Sequence, residues 1–246
     1  MIISGATSEL GRIVTRELGL LGASLALIDS NSESLGELKA ELDATVEVGG
    51  LISTHCTRAT SAEEVAEAVS FVLLQHGRID GLIHDAGGLL RSVASGLPHD
   101  RFDQTAHSML IDRFAITRAV HEKWMAENGG TIVGLISELW QPCAYPKHSI
   151  TAKKLLQLLT ETAAVDWRDQ GISVNAIAPA VIVETHPRSA ASQQPPWEQV
   201  VSAITFLLSP AGQATSGACL EVGRTLTINV GDSSRHIGTE PSKLRH

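Results

Sequence analysis

The chain has 246 residues, a formal net charge of −8 and 43% apolar residues, the size and make-up of one α/β domain with a full core. Its acidic balance, with no Lys/Arg cluster, argues against nucleic acid or an anionic membrane surface as partner. No apolar run is long enough to span a bilayer, and no basic-then-apolar leader opens the chain.

Met1-Ile2-Ile3 reads as a short buried strand. Ser4-Gly5-Ala6-Thr7-Ser8-Glu9-Leu10-Gly11 turns it into a helix whose apolar stripe is Leu10, Val14, Leu18 and Leu21. A strand, a glycine turn and a helix make a dinucleotide-type anion site, where bare N–H groups and the positive helix end face a pyrophosphate. Gly5 and Gly11 are its candidate residues. Glu9 adds bulk and a like charge where backbone must approach phosphate, and it also reads as an ordinary first-turn acid behind a Ser8 N-cap. The second strand, Ser24 to Ile28, ends at Asp29. That acid is placed either to bind ribose hydroxyls and select NAD over NADP or to sit exposed before Ser30-Asn31-Ser32.

A helix is predicted over Glu33 to Leu42, a strand over Val46 to Thr54, and a helix with Val65, Val69 and Val72 on one face. Gly81 to Ile83 is the fourth strand and runs into His84-Asp85-Ala86-Gly87. The His84/Asp85 pair has no third ligand in sight, which argues against a metal. Asp100 to Asn128 reads as a long helix. Thr131 to Ile136 reads as an apolar strand closed by Ser137. A second long helix, Ser149 to Gln170, carries Lys153 in its first turns. Tyr145, the one tyrosine of the chain, lies in a loop with Pro142 and Pro146. Gly171 to Pro179 and Gly217 to Val222 are the last strands. Between them Pro196 to Leu208 is a helix with Val200, Ile204 and Leu207 inward. Cys56, Cys143 and Cys219 are odd in number and widely spaced, which fits a reducing cytoplasm. The expectation is a Rossmann-type, doubly wound parallel sheet in a single α/β domain over residues 1–230, with a C-terminal tail over residues 231–246.

Several of these segments together resemble the short-chain dehydrogenase/reductase family, from Ile2 to Val222. Gly171-Ile172-Ser173-Val174-Asn175-Ala176-Ile177-Ala178-Pro179 is similar to that family's Gly-Ile-x-Val-Asn-x-Ile-x-Pro strand, and Phe114-Ala115-Ile116-Thr117-Arg118-Ala119 to its Phe-x-x-Thr-Arg-Ala segment. The resemblance implies a serine, a Tyr-x-x-x-Lys pair and an asparagine as catalytic set, with NAD as cofactor. This chain departs from the pattern at several key points. Glu9 stands for the middle glycine of the phosphate turn, Arg58 for an adenine-side aspartate, and His84-Asp85 for an Asn-Asn pair. Met109 stands for the asparagine that holds a relay water.

Ser149 stands for the tyrosine, in a register fixed by Thr160, seven residues after Lys153 as in the family. The pair four residues apart shares a helix face. There an ammonium would lower a phenol pKa from about 10 toward a working value, whereas an aliphatic hydroxyl is a far weaker acid. Ser137 and Lys153 are therefore read as remnants of the catalytic set, and Gly5, Gly11 and Asp29 as remnants of the cofactor set. Only a short segment separates Thr185 from Pro195, too little for a lid that excludes water. The resemblance then implies a non-catalytic subunit that binds no cofactor itself. NAD would sit in an active homologous partner within a heterotetramer. A reductase using His148 or Tyr145 as substitute acid, or a sensor using the old cleft, are the other readings.

The helix from Ser149 to Gln170 is apolar around most of its circumference, so more than one side must be covered. The sheet covers one side, and in the family the equivalent helix pairs with another subunit. Trp167 and Leu156 are the expected anchors of that contact.

Overall fold

Unbroken aliphatic runs mark strands covered on both faces, and such strands form the centre of the computed structural model. It describes residues 1–45, 50–57, 61–85, 115–136, 146–179 and 197–223, with residues 45, 146–152 and 179 as backbone. The strands are β1 (Ile2–Ser4), β2 (Leu25–Asp29), β3 (Ile52–Cys56), β4 (Gly81–Asp85), β5 (Gly130–Leu135), β6 (Ile172–Pro179) and β7 (Cys219–Val222). All pair in parallel, in the order β3-β2-β1-β4-β5-β6-β7. The order reverses between β1 and β4, and ligands of such sheets bind in the crevice outside the strand carboxyl ends at that point.

The helices are α1 (Glu9–Leu20), α2 (Ser32–Thr45), α3 (Ala62–His76), α4 (residues 115–128), α5 (Pro146–Asp166) and α6 (Trp197–Leu208). A π turn, His121–Met125, interrupts α4, and a 3-10 turn, Arg168–Gln170, follows α5. One face of the sheet is covered by α1, α2 and α6 through Leu10, Val14, Leu35, Leu38 and Ile204. The other is covered by α3, α4 and α5 through Val65, Val69, Ile116, Val120 and Ala164. This is the doubly wound α/β architecture expected.

Several boundaries differ from the sequence reading. Leu21 is exposed rather than part of the α1 stripe, because the helix stops at Leu20 and Leu21 only caps it. The third strand begins at Ile52, not Val46. A side chain on Gly50 would lie 2.4 Å from Ala23 O, and pairing with β2 starts only at Leu25↔Ile52; residues 46–49 lie outside the described set. Helix α5 starts at Pro146, three residues before Ser149. Proline suits a first helical turn, where its fixed φ is pre-organised and its missing N–H has no partner to lose. His148 and Ser149 are therefore helical.

The inward arc of α5 consists of Lys153, Leu156, Thr160 and Ala164. Leu156 is 3% exposed, so it belongs to the chain's own interior and is not an outer anchor. Trp167 packs partly against the same core. Its ring stacks on His121 of α4 at 4.4 Å and 14°, and His121 Nε2 bonds Gln170 Oε1 at 2.6 Å. Among the described side chains of α5, the large apolar ones left outward are Leu158 and Val165, 59% and 76% exposed. Among the described residues no helix is long and apolar enough to cross a membrane.

At the free edge of the sheet, Ser53 Oγ lies between His55 Nε2 (2.9 Å) and His76 Nε2 (2.8 Å). One hydroxyl can donate to one ring, which must then be deprotonated at that nitrogen, and accept from the other. Burial lowers the pKa of both, and the Met1 ammonium and His55 lower that of His76 further. Among the described residues His76 Nδ1 is buried without a partner, so none of them accepts a proton placed there. The unfolded chain, with ordinary histidines, binds more protons below about pH 6.5, so this cluster's contribution is full above that value and lost as pH falls through the folded pKa values. The melting temperature should drop between pH 7.5 and 5, and less steeply in His76→Gln. Equal slopes in the two proteins would remove the cluster as the cause.

Candidate functional site

The turn from β1 to α1 lies at the switch point. Gly5 has φ +78, and a side chain there would meet Asp85 O at 2.4 Å; one on Gly11 would meet Gly5 O at 2.3 Å. Both glycines are thus required by the close approach of backbone, whatever binds the turn. Asking where each backbone N–H goes is informative. Gly5 N and Ala6 N donate to Ile28 O at 3.0 and 3.4 Å, and Ser8 N to Gly5 O at 3.1 Å. Thr7 N donates to Asp29 Oδ2 at 3.0 Å, and Gly11 N to Ser8 Oγ at 2.9 Å. Glu9 N and Leu10 N are the donors of this turn that reach no described residue.

Asp29 is half-buried at the end of β2, before Ser30-Asn31. Its Oδ2 also takes the Thr7 hydroxyl at 2.7 Å, and its Oδ1 takes Ser30 N and Asn31 N at 2.7 and 3.4 Å. The carboxylate staples the end of β2 to the glycine turn. Ser8 caps α1 as expected, and its hydroxyl donates to Asp85 Oδ2 at 2.8 Å. His84 and Asp85 are both buried and extend β4 past Ile83. Glu9 is exposed in the first turn. Its Oε1 accepts the indole N–H of Trp197, the first residue of α6, at 3.0 Å. Arg12, one turn further on, faces Glu37 and Glu41 of α2 at 3.6 and 3.9 Å. Among the described residues no group of three His, Cys, Asp or Glu side chains could hold a metal.

Lys153 and Ser149 both lie on α5. The Lys153 side chain is 18% exposed, and its Nζ reaches Glu221 Oε1 of β7 at 2.7 Å. His148, five residues before Lys153, is about 140° away around the helix. Met109, Ser137, Tyr145 and Thr185 lie outside the described residues. Thr160, the register mark, is buried and bonds back to Leu156 O at 2.7 Å. Asn175 of β6 is fully buried; its amide donates to Thr215 O at 2.7 Å and accepts from Ala218 N at 3.2 Å, fixing the turn into β7.

Three partners of this region escaped the sequence reading: Thr7, Trp197 and Glu221. The available signals were an acid in a glycine turn, a tryptophan opening a helix, and an acid inside an otherwise apolar strand. A groove of about 1140 Å³, lined by Arg78, Trp124, Gly130, Val165, Arg168 and Gly217, opens at the amino ends of β4, β5 and β6. That is the opposite end of the sheet from the switch-point crevice, so it is not the expected dinucleotide place.

A parallel sheet with a strand, glycine turn and helix at its switch point defines the class of doubly wound nucleotide-binding domains. Residues 1–196 match the family model described as short chain dehydrogenase, and the chain belongs to the short-chain dehydrogenase/reductase family. It is 25% identical over 259 residues to a peroxisomal 2,4-dienoyl-CoA reductase of Danio rerio, covering 98% of this chain and 86% of that one. It is 25% identical over 214 residues to an NAD-dependent glycerol dehydrogenase of Listeria innocua, covering 86% and 79%. Among solved structures, the citronellol catabolism dehydrogenase of Pseudomonas aeruginosa superposes with a TM-score of 0.73 at 29% identity, covering 90% of this chain and 92% of that one.

Proposed function

We propose that this chain is a non-catalytic member of its family. It serves as one subunit of a cytoplasmic hetero-oligomer, a heterotetramer with an active, NAD-dependent homologue that oxidises an alcohol or a 3-hydroxyacyl-CoA ester. The observation that carries the reading is on α5. Serine 149 occupies the tyrosine position, and the lysine one turn on is held by Glu221. An aliphatic hydroxyl is too weak an acid to supply the proton that a phenol supplies, and the ammonium that would activate it is engaged with a carboxylate. The helical position of His148, on another arc than Lys153, offers no substitute acid.

The amino end of α1 supports the same reading for the cofactor. Most donors of the turn bond to the protein itself, Asp29 is committed to Thr7, and the acids Glu9 and Asp85 lie in or against the glycine turn that would have to receive the phosphates. These residues do not fit a dinucleotide. Hetero-oligomers of one active and one degenerate short-chain subunit exist. One is the 2-(α-hydroxybenzyl)succinyl-CoA dehydrogenase of anaerobic toluene breakdown, and this chain resembles its inactive partner. In this proposal the chain's value to the complex is structural: it covers and stabilises the subunit that holds NAD.

The test is turnover. The chain alone should show no NAD-dependent oxidation of secondary alcohols or 3-hydroxyacyl-CoA esters. In the complex, Lys153→Ala should leave the rate per active partner site within about twofold, less than 0.5 kcal/mol of barrier. A hundredfold loss with assembly intact would make Lys153 catalytic and sink the reading.

A further inference from the structure

We infer that Glu9, fixed by the Trp197 indole, sets the charge selectivity of the remnant cleft and turns phosphorylated ligands away from the amino end of α1. The inference rests on the proposal that this chain holds no dinucleotide and assigns that property to one side chain. A buried indole N–H needs an acceptor, and Trp197, 8% exposed, finds it in Glu9 Oε1 at 3.0 Å. The bond reaches across 188 positions of sequence. It joins the start of α6 to the start of α1 and fixes the carboxylate in the first turn of α1, the turn whose Glu9 N and Leu10 N reach no described residue. Without that anchor an exposed glutamate would swing into solvent, and the helix end would keep its usual pull on anions.

The cation that touches the turn among the described residues, Arg12, donates from Nε to Thr7 O at 3.4 Å and shares its charge with two acids of α2, Glu37 and Glu41. The other charged groups at the turn are Asp29, bonded to Thr7, and Asp85, bonded to Ser8. Asp29 and Asp85 are both tied down by the turn itself and serve the fold. Glu9 differs, because its carboxylate bonds an indole that an amide could satisfy equally well.

Inorganic pyrophosphate is the probe, titrated by calorimetry into the full chain. Glu9→Gln keeps an acceptor for Trp197 and removes only the charge; it should bind pyrophosphate at least tenfold tighter than the unaltered chain. Trp197→Phe keeps the ring packing and frees the carboxylate, and should gain in the same direction by a smaller factor. Glu17→Gln, exposed two turns along the same helix, makes the same change in net charge and should gain nothing. Affinities within twofold for Glu9→Gln and the unaltered chain, or an equal gain in Glu17→Gln, would overturn the assignment. NAD titrated into the unaltered chain decides the underlying proposal separately. Micromolar binding there would defeat the cofactor-free reading, while the pyrophosphate ratio would still decide the role of Glu9.

Discussion

Leu158→Glu combined with Val165→Glu is expected to abolish assembly with the homologous subunit recovered from the native source, while the isolated chain stays folded. The two positions are seven apart on α5, two turns along one strip of the helix, and both are large apolar side chains left in water. In the isolated chain the substitutions change only an exposed surface, where effects usually stay within about 0.5 kcal/mol. Against a partner they bury two unpaired carboxylates, each at a cost of several kcal/mol, so the complex should dissociate outright. Circular dichroism should be unchanged, and size-exclusion chromatography should show the two subunits eluting apart. Co-elution as before would remove this face from the interface. Leu156→Glu is the informative contrast. That side chain lies inside the subunit, so its substitution should unfold the chain and say nothing about assembly.

Gly5→Ala should be among the most damaging single-methyl changes in the chain, and it should be so with no cofactor in the tube. The added carbon would lie 2.4 Å from Asp85 O, a backbone atom of a central strand that has nowhere to move. Overpacking of this kind costs about 1–3 kcal/mol, and holding a non-glycine residue at φ +78 adds roughly 1–2 kcal/mol. The expected loss in urea titration is therefore about 2–5 kcal/mol, much of the stability of an ordinary domain. Gly36 of α2 has nothing within 4 Å of a built side chain, and Gly36→Ala should stabilise the helix by about 0.5–1 kcal/mol. A Gly5→Ala protein within 0.5 kcal/mol of the original would show that the turn is loose and that the glycine belonged to the ligand after all.

Legibility from sequence followed the range of the forces involved. β1, β2, β4, β5 and β6 were readable because they are short apolar runs between glycines or turn residues, and that pattern is local. The Ser8 cap of α1 was readable for the same reason. The start of α5 was misplaced because Pro146 breaks a helix from within but opens one from its first turn, and the residue alone does not say which. Leu156 was assigned outward because a helical wheel gives relative angles and not which arc faces the sheet. The partners of Asp29 and Glu9 were invisible: Thr7 lies 22 residues from Asp29, Trp197 lies 188 from Glu9, and neither bond leaves a period in the sequence. The tyrosine position could be read because Thr160 and Lys153 fix the register of one continuous helix. Met109, Ser137 and Tyr145 rest on counting alone.

The strand order also sets a timetable during synthesis. Ile2 finds Ala26 only 24 residues later, but its other neighbour, Leu82, is 80 residues away. At roughly 5–20 residues per second, that is about 4–16 s in which β1 has one side unpaired. Over that interval β1, β2 and β3 can assemble as a local unit, while the future centre of the sheet is still an edge. An open edge is where a strand from another chain can dock. The nascent chain is thus most vulnerable to mispairing at a strand that the finished protein buries, and the hazard ends when β4 leaves the ribosome.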